Sequence, residues 1–399
     1  MFTLFLRKNM TELMQECIAL YDLKKYDQIV ISLLENADQY QLNGHLWKSL
    51  IIDTLLETQN SFTLACQRNA IIQDEMLQLF EADMDIFFQL YHIKFKCDND
   101  LLNQIVENYQ STKKIIYQVK FEYSNHLQSL LNQTKNTHEF SKIMQQHYQR
   151  HGSGKYALSK AFHYQSKQIC SIMNVSNDSF DQLTGCTYQT SMLCMNTEAF
   201  LKGKLANNVL LYGDSGTGKS TSIKALLNKY FNQGLRMIEV YKHQFIDLPQ
   251  IIDTIQQSNY KFIIFMDDLS FEDFEIEYKY LKAIIEGGLA QKTKNILIYA
   301  TSNRRQLIKQ TWDQRVGDEI SVNDTKQETQ SLSSRFGISI LYGQPNKMEY
   351  LQIIDQLQVR YHIKMDNEKL HQEALRHAMR YGGYSGRTAM QFIQTLQLD

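Results

Sequence analysis

Proline and glycine are scarce in this chain of 399 residues, two and seventeen in all, and they are unevenly placed. Residues 1–151 hold no proline and a single glycine, Gly44. Turns and strand connections need those residues, so a β-rich start is excluded and an all-α domain over 1–151 is expected. The six cysteines form no C-x-x-C pair. That argues against a zinc site and fits reduced thiols in a cytoplasmic protein. No apolar run exceeds strand length, as in Phe262–Met266, so no membrane span or membrane partner is expected. Met1–Leu6 is apolar but too short, and without a small-residue cleavage site, to predict a signal peptide. A formal net charge of −1 offers no whole-chain attraction to nucleic acid.

Periodicity and local charge carry more. Ile72, Met76, Phe80, Met84, Phe87 and Tyr91 step by three or four and predict one buried stripe of a long helix. Between residues 111 and 170 nine cations (Lys113, Lys114, Lys120, Lys135, Lys142, Arg150, Lys155, Lys160 and Lys167) face only Glu122 and Glu139. Aromatics at Tyr117, Phe121, Tyr148, Tyr156, Phe162 and Tyr164 interleave with them. Two readings follow: a nucleic-acid surface that pairs phosphates and stacks bases, or a solvated helical face with its aromatics turned to the core. The stretch His151-Gly-Ser-Gly-Lys155 lacks the strand and spacing of a phosphate loop and is read as part of a basic hinge over 152–179.

Asn208–Tyr212 is a short apolar run, and Gly213-Asp214-Ser215-Gly216-Thr217-Gly218-Lys219-Ser220-Thr221 follows it into helical sequence. Strand, G-x-x-x-x-G-K-S and helix make a phosphate loop. The glycines let backbone N–H groups turn onto phosphates, Lys219 reaches the β and γ groups, and Ser220 is a ligand for Mg²⁺. Lys261–Met266 predicts a second strand ending in Asp267, for the metal, and Asp268, for the attacking water. A third strand, Asn295–Ala300, leads to Thr301-Ser302-Asn303 at the sheet edge where ligands gather, and Asn303 is expected to contact water or the γ-phosphate.

These motifs together resemble the AAA+ ATPases, from roughly Phe180 to the end. The resemblance implies an α/β phosphate-loop core, a parallel sheet with flanking helices, over 180–343 and a helical lid over 344–399. It implies ATP and Mg²⁺ as ligands, and assembly into a homo-oligomer. Ser331-Leu-Ser-Ser-Arg335-Phe-Gly337 is similar to the segment bearing the arginine finger, which makes Arg335 a catalytic candidate acting on a neighbouring subunit. Tyr381-Gly-Gly-Tyr-Ser-Gly-Arg387 resembles the start of the last lid helix, which assigns Arg387 to phosphate contact. Phe180–Gly185 looks like the segment that packs on adenine. Asn196–Phe200, Asn207–Gly213, Asp267–Glu272, Glu286–Gly288 and Tyr299–Arg305 further resemble a bacterial AAA+ family of unassigned function, DUF815.

Two departures bear on mechanism. Asp268 stands where the superfamily usually has Glu, which sets its carboxylate about 1.5 Å further back and implies slow hydrolysis or a need for assembly. Glu239–Ile246 lacks the aromatic-apolar-Gly loop of threading unfoldases. The polar loop 306–330 is read either as a partner contact or as a surface insertion. Helices over 346–358, 367–381 and 385–397 complete the lid, which leaves target specificity to residues 1–170 or to core loops. The expected activity is an Mg²⁺-dependent ATPase that remodels a protein or nucleic-acid target. The alternative is a slow-hydrolysing switch that presents its N-terminal domain to a protein partner.

Overall fold

The computed structural model of the protein describes residues 11–94, 96–111, 118–271, 276–286, 293–304, 307 and 334–397. The chain divides into two compact units, residues 1–159 and 160–399.

The described part of the first unit is all helical apart from one isolated bridge between Gly44 and Tyr109: α1 (Glu12–Asp22), α2 (Tyr26–Tyr40), α3 (Leu46–Glu57), α4 (Ser61–Gln67), α5 (Asp74–Tyr91), α6 (Asp100–Glu107), α7 (Gln118–Leu131), α8 (Thr137–His151) and the single turn α9 (Lys155–Leu158). Local chemistry sets several starts. Thr11, Asn60, Asn99 and Asn136 each accept a backbone N–H of the first turn. Ten of the twelve residues of α3 are buried, which makes it the axis of the unit. A helix buried on every side must find partners for its polar groups. Trp47 Nε1 donates to the Leu90 carbonyl at 2.7 Å, and the Leu55 carbonyl accepts Tyr148 Oη at 3.0 Å. Asp53 pairs with Lys120 of α7, which also reaches Glu57 at 2.7 Å. Burial pushes the Asp53 carboxyl up to about 6 against the pull of the Lys120 ammonium. The stripe expected on α5 holds for Phe80, Met84, Phe87 and Tyr91, while Ile72 precedes the helix.

The structure corrects part of the basic-segment reading. Tyr148, Tyr156, Phe162 and Tyr164 are buried in packing and are not free to stack on bases, and Lys120 is consumed by its ion pairs. Lys113, Lys114 and Tyr117 lie outside the described residues. The division between the two units falls within the span read as a hinge, 152–179, and parts of that span are bonded into one unit or the other. The Gly154 N–H donates to the Leu56 carbonyl at 2.9 Å inside the first unit, and residues 161–171 form two strands of a sheet.

The second unit is a mixed α/β fold. Its strands are β1 (Ala161–Gln165), β2 (Gln168–Ser171), β3 (Val209–Gly213), β4 (Leu235–Glu239), β5 (Lys261–Met266), β6 (Ile296–Ser302) and β7 (Ile338–Tyr342), in spatial order β2-β1-β4-β5-β6-β3-β7. All neighbouring pairs are parallel except β1 with β2. Helices α10 (Thr187–Leu201), α11 (Lys219–Tyr230), α12 (Leu248–Ile255) and α13 (Glu277–Glu286) accompany the sheet. Strand interiors read as continuous apolar runs, as parallel strands covered on both faces require. Beneath β3 and β6 the buried Asn196 amide donates to the Asn207 carbonyl at 2.8 Å and to Tyr299 Oη at 2.9 Å, and Thr197 meets the same phenol at 2.9 Å. Asn208 Oδ1 accepts the Ile298 N–H at 2.9 Å. These motif residues are therefore a packing knot that ties α10 to the sheet.

Three further helices follow: α14 (Lys347–Arg360), α15 (Asn367–Arg380) and α16 (Gly386–Leu396). They enclose their own core of Tyr350, Ile354, Leu370, Ala374, Ala378, Phe392 and Ile393. The expected fold class stands: an all-α region, an α/β unit built on a parallel sheet, and C-terminal helices. No helix among the described residues is long and apolar enough to cross a membrane.

Within the first unit, His147 on α8 is buried against the rings of Tyr123, Tyr148 and His151. Burial, then the neighbouring His151 and His126, lowers its pKa from 6.5 to about 3. The unfolded chain therefore takes up a proton near pH 6.5 that the folded unit refuses, and stability present above pH 6.5 is lost on acidification toward pH 3. His147→Gln is expected to remove about 2 kcal/mol of the stability difference between pH 7 and pH 5, read from urea midpoints at the two pH values.

Candidate functional site

All parallel strands end at one edge of the sheet, and the chain's crossings bring three sequence-distant segments together there. Register does the alignment: Gly213 lies opposite Tyr342, Tyr212 opposite Ser302, and Met266 opposite Ala300. The loop Gly213–Ser220 thus opens beside the ends of β5 and β6. Gly213, Gly216 and Gly218 all have positive φ, at 134°, 76° and 96°. A Cβ on Gly213 would stand 2.0 Å from the Tyr342 carbonyl oxygen, so only glycine lets β3 leave the sheet at that point.

Lys219 starts α11 and is only 7% exposed. Its Nζ donates to the carbonyls of Gly213 at 2.7 Å and Asp214 at 2.6 Å, and to Asn303 Oδ1 at 3.2 Å. Burial pushes its pKa below the ordinary lysine value, the carboxylates of Asp214, Asp268 and Asp267 oppose that shift, and Arg387 adds to it. The neighbouring Ser220 Oγ donates to Asp267 Oδ1 at 2.6 Å. Asn303 links the two sides of the site, because its Oδ1 faces Lys219 while its Nδ2 donates to Asp268 Oδ1 at 2.7 Å. Only one amide orientation satisfies a cation on one side and a carboxylate on the other.

β6 extends to Ser302, so Thr301, expected just beyond the strand, lies inside it and is buried. Its hydroxyl accepts the Asp268 N–H at 2.9 Å and donates to Asp267 Oδ1 at 2.5 Å, and its carbonyl accepts the Leu269 N–H at 2.7 Å. Asp268 itself has φ 51°, a left-handed conformation that costs a residue with a side chain of order 1 kcal/mol or more.

A cleft of about 690 Å³ lies over this edge, walled by Ser215–Thr221, Asp267, Asp268, Thr301 and Asn303 on one side and by Arg360, Arg387 and Met390 of the C-terminal helices on the other. Gln182, Leu183, Thr184 and Gly185 close one end. Of the segment Phe180–Gly185, Phe180 itself packs on the hydrophobic core, with Lys229 Nζ 5.6 Å from its ring centroid. The C-terminal helices are fastened to the loop directly, since the Gly386 N–H donates to the Gly216 carbonyl at 3.0 Å.

Eleven of the singled-out residues thus line one cleft: Ser215, Gly216, Thr217, Gly218, Lys219, Ser220, Thr221, Asp267, Asp268, Asn303 and Arg387. Gly213 and Asp214 form its shoulder and supply carbonyls to Lys219. Arg335 stands apart. It is exposed, precedes β7 at the other end of the strands, and lines a separate cleft of about 660 Å³ with Asn207, Asn208 and Ile296. Among the other polar residues of the lining are Thr301, which sequence reasoning placed at the sheet edge without a role of its own, and Arg360, which it did not single out. The loop 306–330, apart from Leu307, and residues 331–333 lie outside the described residues.

No curated protein matches this sequence. Among solved structures, a RuvB variant of Thermotoga maritima is similar at 16% identity and a TM-score of 0.39, with 54% of this chain and 64% of that chain covered. The Thermotoga maritima RuvB Holliday junction branch migration motor is similar at 14% identity and a TM-score of 0.34, with 56% and 74% covered. The alignment spans less than two thirds of the first of these chains. Over residues 157–398, more than half of its length, the chain matches the family described as "Protein of unknown function (DUF815)", and it belongs to that family.

Proposed function

We propose that the chain is an AAA+-type ATPase that binds ATP with Mg²⁺ in the cleft over the sheet edge and hydrolyses it. The observation that carries this reading is the convergence of Lys219, Ser220, Asp267, Asp268, Asn303 and Arg387 on one cleft from four separate segments. The residues present fit the ligands. Three glycines at positive φ suit a loop that wraps phosphates, and a hydroxyl and a carboxylate 2.6 Å apart are the hard oxygen donors that Mg²⁺ takes.

In this reading Ser220 and Asp267 hold the metal, which when bound neutralises charge on the transferred phosphoryl group. Lys219 donates to the β and γ oxygens, and Arg387 reaches phosphate from the C-terminal helices. Asp268 orients the attacking water and accepts its proton, and Asn303 keeps the carboxylate of Asp268 directed into the cleft. The hydrolytic step is thereby a cleavage of the γ-phosphoryl bond by water, with ADP and phosphate as products.

Arg335 acts in a neighbouring subunit. Its position supports that assignment, because β7 alone spans about 13 Å between the Arg335 end and the cleft end of the sheet. The chain then works as a homo-oligomer whose nucleotide state moves a protein or nucleic-acid target, held through the first unit or the loop 306–330. A second reading has support in one observation. Asp268 is short for this task and already accepts a hydrogen bond from Asn303, which suits a switch that binds ATP stably and hydrolyses it rarely.

Lys219→Ala is expected to weaken ATP binding about a hundredfold, measured with a fluorescent nucleotide, since it removes charged hydrogen bonds to phosphate. Asp268→Asn is expected to keep binding and lose about 10²-fold or more in turnover. Wild-type turnover no higher than that of Lys219→Ala, with ATP still bound, selects the switch instead. For the assembly, Arg335→Ala is expected to lose about 10³-fold in turnover. Mixing it with Lys219→Ala should restore activity, because each variant supplies what the other lacks. A mixture as inactive as its parts rejects action in trans.

A further inference from the structure

Asp267 and Asp268 are consecutive, and consecutive residues of an extended strand point to opposite faces of the sheet. Two adjacent carboxylates serve one cleft only if the backbone turns between them. It does so here, through the left-handed φ of 51° at Asp268. That conformation is less favourable than an extended one even for aspartate, and the next strand holds it in place. Register places Thr301 one residue beyond the Met266–Ala300 pair, directly beside this turn.

We infer that Thr301 is a positioning residue that sets both acids for metal binding and hydrolysis, an inference that rests on the ATPase reading of the cleft. Its single hydroxyl proton goes to Asp267 Oδ1, and the hydroxyl oxygen accepts the Asp268 N–H. Its carbonyl takes the next N–H, that of Leu269, so the turn is bonded on both sides of Asp268. Asp267 Oδ1 accepts from Ser220 as well, so Thr301 and Ser220 both hold the same oxygen. Thr301 is 2% exposed, so little solvent reaches it to replace its hydroxyl. Valine has the same shape and lacks both bonds, whereas serine retains them.

The test compares wild type, Thr301→Val and Thr301→Ser in the full chain with three measurements. The first is amide hydrogen exchange of the 266–270 segment without nucleotide, where Thr301→Val is expected to exchange about tenfold faster and Thr301→Ser as wild type. The second is steady-state ATP hydrolysis, where Thr301→Val is expected to lose about 10²-fold in kcat with KM for ATP little changed, and serine to recover most of it. The third is the Mg²⁺ concentration needed for half-maximal ATP binding, expected to rise about tenfold in Thr301→Val. Unchanged exchange overturns the inference, as does unchanged kcat in an active protein. Should wild type bind ATP·Mg²⁺ without turning over, the ATPase reading falls while exchange and Mg²⁺ dependence still decide Thr301: a shift in both sustains it, and no shift in either one overturns it. If wild type fails to bind ATP, both readings are overturned. Should Thr301→Val not fold, Thr301→Ala is carried through the same measurements.

Discussion

A lysine ammonium that is almost wholly buried must place its protons on oxygens, and one edge of the sheet in the second unit is organised around meeting that demand. The oxygens that meet it for Lys219 come from Gly213, Asp214 and Asn303. Two are carbonyls of the loop that precedes the lysine, which fixes the loop's curvature. The third belongs to the residue that follows β6, which fixes the end of β6 relative to β3. Asn303 in turn hands a proton to Asp268, and Asp268 is bonded back to β6 through Thr301. One buried cation thus sets the relative positions of three segments that are far apart in sequence. Its burial is costly unless the partners stay in place, so the arrangement holds these three segments in fixed relation.

Much of this was legible in the residues. The phosphate loop declares itself because its glycines, lysine and serine must stand at fixed intervals between a strand and a helix. The acids of β5 are visible because an apolar run ends abruptly in two carboxylates. Thr301 was not legible for a physical reason: nothing in local sequence tells whether β6 ends at Ala300 or two residues later. That small difference decides whether the threonine is an exposed turn residue or a buried clasp. The segment Phe180–Gly185 is legible only as a whole, since local sequence does not tell that Gln182–Gly185 line the cleft while Phe180 covers the core.

The first unit illustrates a limit of reading charge from sequence. A net excess of cations over 111–170 counts Lys120 as surface charge, yet the buried Asp53 and the exposed Glu57 of α3 both claim it. Buried aromatics in the same stretch, Tyr148 foremost, are committed to backbone carbonyls and packing. Composition reports how many groups exist but not which way they face. Facing is set by the periodicity of partners on other helices, here Asp53 and Glu57 one turn apart on α3.

The hydrogen bond from Gly386 to the Gly216 carbonyl joins the C-terminal helical layer to the phosphate loop without any side chain in between. Its donor is the first residue of α16, whose other face is packed into the core of that layer through Ala389, Phe392 and Ile393. Displacing the layer therefore withdraws a backbone partner from the loop at the same moment, and the two movements share one free energy. By thermodynamic reciprocity, whatever the loop grips tightens the packing of α16, and whatever loosens that distant packing is felt as weaker grip. The three-helix layer is in this sense a spring wound onto the loop.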